Sequence, residues 1–229
     1  MPDFVSLLLW LIVGYLAGSI PAAYIAGRVL KGIDIRDYGS GNVGGANIMA
    51  HVSPWAFVPV VATDLLKAIL PVWGALSMTG SEWAAMAAGA GAVAGHCWSL
   101  YLSFTGGRGM AATLGSLLPL FPLGVAWIVG VHFIGSAFRR APLADILALA
   151  SLPVLARLSG QYAAVVWGAV AILLLVAAKR LHANRLPLPN DPASRRQVLL
   201  LRLLYDRDVP PGVPWTERKG GIRSGRPSE

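Results

Sequence analysis

Two short stretches concentrate the residues that can hold an anion. The first runs Gly39-Ser40-Gly41-Asn42-Val43-Gly44-Gly45-Ala46-Asn47 and places four glycines within seven residues. Without Cβ atoms in the way, successive backbone N–H groups can turn toward one anion, and Ser40, Asn42 and Asn47 add side-chain hydrogen-bonding groups. On composition alone the stretch reads equally well as a flexible connection. The second stretch, Thr105-Gly106-Gly107-Arg108-Gly109, opens an apolar segment. Glycines at a helix start expose unpaired N–H donors beside the positive end of the helix dipole. Arg108 offers a planar fork suited to two phosphate oxygens, and Thr113 follows one turn further on. The spacing, and the lack of a Lys-Ser/Thr ending, exclude a P-loop. A plain turn carrying one arginine is the alternative.

Other chemistry-bearing residues lie inside apolar runs. Asp64 and Lys67 are three residues apart, so they can pair on one helical face. Charges at membrane depth are costly and face a bundle interior or a wet cavity, which leaves a structural ion pair and a catalytic role both open. His96 follows Gly95 in the third apolar run, where packing or a hydrogen bond explains it, and His132 has no evident role. Cys97 is the only cysteine, which excludes an internal disulfide and a cysteine-based zinc site. No Ser-His-Asp arrangement, HExxH sequence or paired metal ligands can be read, so classical nucleophilic or zinc chemistry is unsupported.

These residues must be positioned by membrane helices. Of 229 residues 55% are apolar and 13% charged, and the mean hydropathy is +0.61; soluble domains sit near 45–50% and about 25%. Phe4 to Gly27 contains no charge and is long enough to cross a hydrocarbon core of roughly 30 Å. It lacks the basic flank and the short apolar region of a cleaved signal peptide. Spans are predicted at 4–27, 54–78, 82–104, 110–119, 122–138, 143–158 and 161–178. The fourth is short, and one kinked helix from Met110 to Phe138 is the alternative. With seven crossings and the N-terminus outside, seventeen of the 19 Lys and Arg residues face the cytoplasm; six crossings put the basic tail outside, against the positive-inside tendency. The expectation is an all-α, seven-transmembrane-helix bundle in the cell inner (plasma) membrane with the C-terminus cytoplasmic. Residues 1–178 form the membrane domain, and 179–229 form a basic, partly flexible tail. The net charge of +8 is concentrated in that tail, where anionic lipid rather than nucleic acid is the natural partner. Within it, Val198 to Tyr205 reads as a short membrane-surface helix with Arg202 inside it.

Taken in order, the motifs resemble those of the bacterial acyl-phosphate:glycerol-3-phosphate acyltransferases. Gly18-Ser-Ile-Pro-Ala-Ala-Tyr24 resembles the family's GSIPxAY, Gly32-Ile-Asp-Ile-Arg36 its GIDIR, and Gly39 to Asn47 its GSGNxGATN. Asp64-Leu-Leu-Lys67 resembles DxxKG, with Ala68 at the glycine; Gly95-His96 and Phe104 to Gly109 resemble GH and FKGGKG. The resemblance implies transfer of a fatty acyl group from acyl phosphate to glycerol 3-phosphate, without metal or organic cofactor, at the cytoplasmic membrane surface. It places residues 106–109 at the donor phosphate, and Ser40 and Asn42 beside the reacting hydroxyl. Ser40, Asn42 and Arg108 are therefore the expected catalytic residues. Gly39, Gly41, Asn47, His96, Gly106, Gly107, Gly109, Thr113, Lys179 and His182 are expected to bind substrate, and Asp64–Lys67 to be structural. A substrate phosphate oxygen serves as the base.

The chain departs from the family pattern on the acceptor side. Ala50, followed by His51, stands where the first motif closes with arginine; Ala46 replaces a threonine; Thr105 and Arg108 replace the lysines of FKGGKG. The family's HRxNIxRL aligns with Lys179-Arg-Leu-His-Ala-Asn-Arg-Leu186, putting Lys179 at the His and His182 at the Asn. Those positions hold glycerol phosphate in the family. The readings in competition are a relative that binds phosphorylated lipid without turnover or takes another acceptor, and a small transporter centred on Asp64 and Lys67. Against the transporter, no repeated halves are apparent.

Overall fold

The computed structural model describes residues 4–185 and 187–208. Every element is helical among these residues: α1 (Phe4–Gly18), α2 (Ala22–Lys31), α3 (Gly45–His51), α4 (Pro54–Thr79), α5 (Glu82–Cys97), α6 (Met110–Leu117), α7 (Pro122–Ala137), α8 (Ala141–Leu158), α9 (Ala163–His182) and α10 (Pro192–Tyr205). Four stretches are long and apolar enough to cross a membrane: Phe4–Lys31 taken across its break, Pro54–Thr79, Ala141–Leu158 and Ala163–His182. Pro122–Ala137 is a shorter apolar helix.

The first span corrects the expectation of an uninterrupted 4–27. Pro21 cannot donate the hydrogen bond that would carry α1 onward, and its ring crowds the carbonyl four residues back, so the helix breaks at Ser19–Pro21 and resumes through Lys31. A break frees backbone groups that membrane interiors do not tolerate unpaired. The freed carbonyls are claimed by distant side chains: Lys67 Nζ donates to Ile20 O at 2.8 Å, and the Ser99 hydroxyl donates to Ser19 O. Lys67 is in turn held 2.7 Å from Asp64, both side chains being only 4% exposed.

The α1–α5 contact explains why the third span is built of alanine and glycine rather than leucine. A Cβ on Gly14 or Gly18 would collide with the backbone of Ala88 or Ala92, and one on Gly91 or Gly95 with the carbonyls of Leu11 or Tyr15. Small residues on both helices let the backbones touch, which is the main source of helix association in lipid. Beyond Cys97 the expected span 82–104 does not continue as α-helix: the chain passes through one 3-10 turn at Leu100–Leu102, with Ser103 and Phe104 at positive φ, and Ser99 bridges to Thr105. The α6 helix has eight residues, about 12 Å, and a turn at 118–121 separates it from α7, so the single helix 110–138 does not form. The core buries Leu117, Phe121, Ile128, Leu149, Leu152 and Ile172 among α6 to α9.

The tail helix α10 starts at Pro192, six residues before the apolar stretch, capped by the Asp191 carboxylate on Ser194 N–H at 2.8 Å. Arg202 is 2% exposed and anchors α10 beneath α9, donating to Leu181 O and Pro187 O and pairing with both carboxylate oxygens of Asp208 at 2.7 and 3.1 Å. Arg180 ties α9 to its neighbours by donating to Pro142 O and Leu203 O.

Candidate active site

The loop between α2 and α4 is rigid by construction. Asp34 accepts from Arg36 N–H at 3.1 Å and from its guanidinium at 2.9 and 2.6 Å. These bonds hold the Asp34 carboxyl below the ordinary carboxylate range against a partial opposing effect of burial. Asn47 turns inward from α3, and its amide nitrogen donates to Ile35 O, Tyr38 O and Asn42 O at 3.0–3.1 Å. Asn47 is thus a brace of the glycine loop, and its donor is spent on backbone rather than turned toward open space. Gly39 and Gly41 take φ of +51° and +64°, a region in which a side chain would be strained. Ser40 Oγ accepts from Asn42 N–H at 3.2 Å.

The second glycine stretch is threaded against α5. Gly107 N–H donates to His96 O at 3.0 Å. A Cβ on Gly106 would strike the His96 and Cys97 carbonyls, and one on Gly107 would strike the His96 ring and Val43 O. Glycine is required there because loop, helix and imidazole occupy the same space. Gly109, at φ +87°, then starts α6, which carries Thr113.

The two stretches meet at a residue that the sequence alignment passed over. Asn184 Nδ2 donates to Gly41 O at 3.4 Å and to Gly106 O at 3.1 Å, while its Oδ1 accepts from Gly106 N–H at 3.3 Å. The same Oδ1 accepts from Lys179 Nζ at 2.7 Å. Lys179 also donates to Cys97 O and lies 5.3 Å from the Trp98 ring centre, wholly buried. It therefore braces the junction of α5 and α9. His182, given the motif's asparagine position by the ungapped alignment, lies instead with its ring 6.3 Å from Trp98. Asn184 stands two residues past His182, at a position the ungapped match to HRxNIxRL leaves unassigned, and with Ala183 it sits at positive φ; no spacing in the motif points to it.

Around this junction lie buried polar atoms without a hydrogen bond: Asn42 Oδ1, His96 Nδ1, Arg108 Nε and Nη1, and Thr113 Oγ1. Buried polar groups are paired in more than about 90% of cases, so several together mark a place built for something else to bind. His96 Nδ1 is 3.4 Å from Asp64 Oδ1, which links the site to the buried ion pair. Arg108 Nε lies 3.0 Å from Asp206 Oδ1, just past the end of α10, with the side chains 16% and 23% exposed. Burial pushes the Asp206 carboxyl above the ordinary range, opposed by Arg108. No group of three His, Cys, Asp or Glu residues suited to a metal occurs among the described residues. His132, read as having no role, pairs with Asp145 at 2.8 Å on α7 and α8.

Comparison with known proteins places this arrangement. The profile described as glycerol-3-phosphate acyltransferase matches residues 8–187. A glycerol-3-phosphate acyltransferase of Parasynechococcus marenigrum is 37% identical over 84% of this chain and 92% of its own length. Glycerol-3-phosphate acyltransferase 5 of Dehalococcoides mccartyi is 32% identical over 90% of this chain and 91% of its own. Among solved structures, the integral membrane glycerol 3-phosphate acyltransferase PlsY superimposes in its glycerol 3-phosphate form with a TM-score of 0.69 at 31% identity, covering 79% of this chain and 90% of that one. Its lysophosphatidic acid form gives 0.68 at 28%, covering 79% and 89%. On this breadth of agreement, the chain belongs to the glycerol-3-phosphate acyltransferase family.

Proposed function

We propose that the chain transfers a fatty acyl group from acyl phosphate to the 1-hydroxyl of glycerol 3-phosphate, giving lysophosphatidic acid and phosphate. The observation that carries this reading is the group of buried polar atoms without a hydrogen bond, on Asn42, His96, Arg108 and Thr113, near the place where two glycine-rich stretches meet. The hydroxyl oxygen attacks the acyl carbon, the bond from that carbon to the phosphate oxygen breaks, and the phosphate leaves. The hydroxyl proton passes to a substrate phosphate oxygen. Acyl phosphate is already activated, so holding the two substrates together and stabilising charge supply the rate. Arg108 takes the donor phosphate, with Thr113 beside it; the Gly106 and Gly107 N–H groups are held by Asn184 Oδ1 and His96 O, so these glycines shape the loop rather than donate to phosphate. Ser40 and Asn42 line the wall next to the reacting hydroxyl. Gly41 gives the substrates close approach to backbone, whereas the space a Cβ would take at Gly39 and Gly107 is already filled by His51, Asn47 and His96; His96 faces the reacting groups from α5, and His182 is assigned to the acceptor edge. Lys179 contributes charge from beneath.

The seven-crossing arrangement belongs to the same proposal: α1 with α2, then α4, α5, α6, α7, α8 and α9 cross in turn, with α6 short and the N-terminus outside. The basic residues of the loops and tail support a cytoplasmic active face in the inner membrane. Residues 1–178 form the membrane domain, and the segment from 179 through α10 closes it.

The test is consumption of acyl phosphate by purified protein in detergent, with and without glycerol 3-phosphate. Lysophosphatidic acid formed only when both are present is the expected result; no transfer despite donor binding would remove the catalytic reading. Arg108→Ala should raise the KM for acyl phosphate on the order of 10- to 100-fold, the size of a lost charge-assisted bond, with the fold retained and a modest fall in unfolding temperature from the Asp206 carboxylate left without its partner. Unaltered kinetics would remove the phosphate role of Arg108.

A further inference from the structure

The carboxylate set against Arg108 comes from the C-terminal helix: the family profile matches residues 8–187, and Asp206 caps α10 past them. We propose that Asp206 is a specificity-determining residue of the acyl-transfer site, a tethered anion at Arg108 that a phosphate monoester displaces and a phosphodiester does not. The proposal rests on the reading of Arg108 as a phosphate ligand.

Two acidic residues follow α10 closely, and they behave differently. Asp208 meets Arg202 as a two-pronged, hydrogen-bonded pair at 2.7 and 3.1 Å, which anchors the helix. Asp206 approaches Arg108 Nε to 3.0 Å, yet neither Arg108 Nε nor Asp206 Oδ1 makes a hydrogen bond, and Arg108 Nη1 is also open. Asp206 therefore balances the charge of the guanidinium while leaving Nε and Nη1 without a hydrogen bond. It sits at φ +54°, a strained region that aspartate tolerates better than most residues, at a position fixed by the Arg202 anchor.

A buried guanidinium without a counter-charge is costly, so some anion rests against Arg108 between turnovers. At a membrane surface the abundant candidates are phosphodiester headgroups. These carry one negative charge, as a carboxylate does. Exchanging Asp206 for such a headgroup gains little in Coulomb energy and must overcome the effective concentration of a tethered group, which reaches about millimolar or more. A phosphate monoester has its second pKa at about 6 and carries close to two charges at neutral pH. Acyl phosphate, likewise a singly substituted phosphate, qualifies on charge. The guanidinium passes to whichever anion gains more from it, so the tail filters the substrate by charge.

The test uses full-length Asp206→Asn, nearly isosteric and leaving the Arg202–Asp208 pair in place, assayed for turnover against dioctanoylphosphatidylglycerol as the phosphodiester probe. The variant should be inhibited at roughly 3- to 10-fold lower probe concentration than the wild type, and its KM for acyl phosphate should fall within a similar range. Asp206→Glu should restore wild-type resistance, which a merely structural role does not require. If Asp206→Asn folds poorly by thermal unfolding, Asp206→Ser provides the same comparison. Unchanged inhibition and unchanged KM would overturn the proposal, and so would a raised KM, which would make Asp206 an orienting brace. Adding the Asp206→Asn change to Arg108→Ala should have no further effect. If Arg108→Ala by itself is inert, it is the phosphate assignment that fails.

Discussion

Asn184 is the residue whose loss should do most damage for its size. Truncation to alanine removes two donor contacts, to Gly41 O and Gly106 O, and one acceptor contact for Gly106 N–H. At 3.1–3.4 Å these are long bonds, so each falls at the low end of the usual net range, about 0.5 kcal/mol. The larger loss is the 2.7 Å bond from Lys179, a wholly buried ammonium; a hydrogen bond to a charged group contributes about 1.5–3 kcal/mol. Alanine at φ +53° adds about 1 kcal/mol, because asparagine is among the few residues that accept this region. The sum is about 4–5.5 kcal/mol, divided between fold stability and the registration of the two glycine stretches. If half falls on registration, kcat/KM for acyl transfer drops on the order of 30-fold, with the remainder seen as a lower unfolding temperature. Asn184→Asp separates the two effects: it keeps the acceptor for Lys179, so most of the stability returns, but it sets a carboxylate against two carbonyls and leaves the kinetic defect. His182→Ala is the control, since the ungapped alignment gives that residue the asparagine role; its loss should be the smaller one. Turnover of Asn184→Ala at wild-type kcat/KM, or a larger loss in His182→Ala, would refute the placement.

Two further outcomes follow from the buried and looped charges. Lys67→Met should lower stability by about 3–5 kcal/mol, because it strands the Asp64 carboxylate at 4% exposure and orphans Ile20 O; the double variant Asp64→Asn/Lys67→Met should recover much of this in thermal unfolding, and equal loss in both would mean the cost is packing. Because Asp34 has a folded pKa below its ordinary 3.8, its contribution is fully present above that value and is lost as pH falls through the lower, folded value; amide exchange across 34–42 should accelerate only below about pH 4 in the wild type and lack that step in Asp34→Asn.

What the sequence revealed follows from which forces are local. Apolar runs and charge asymmetry are properties of contiguous stretches, so the helices around 54–79, 122–137, 141–158 and 163–182 fall within a few residues of expectation. The break at Ser19–Pro21 was written in the proline but hidden by an unbroken apolar run, because hydropathy does not sense a missing donor. The misread end of α5 has the same origin: 98–104 is apolar enough to be a span, yet the glycines that follow it need the His96 and Cys97 carbonyls beside them. The glycine stretches were legible because a missing Cβ is a local fact. What was not legible is what lies opposite them. Asn184 and Asp206 reach the site across separations of 78 residues from Gly106 and nearly a hundred from Arg108, and no spacing rule spans such distances.

The departures from the family pattern, read together, point the same way. A lysine at position 108 would present a compact, strongly hydrated charge, whereas arginine presents five donors in a fixed fork and sheds water more readily. Such a fork grips phosphate better, and for the same reason it grips the wrong phosphate better in a membrane rich in headgroups. Raising the affinity of the site thus creates a discrimination problem that a lysine would pose less sharply. Asp206, delivered by α10 and seated 3.0 Å from Arg108 Nε with Nε and Nη1 left without a hydrogen bond, counters that problem without filling the site. Reverting Arg108 to lysine should therefore make Asp206 dispensable. Arg108→Lys and Arg108→Lys/Asp206→Asn should show nearly equal sensitivity to dioctanoylphosphatidylglycerol, whereas Asp206→Asn on the arginine background should not. If Asp206 proved just as necessary beside lysine, the pairing of fork and tethered carboxylate would lose its physical basis.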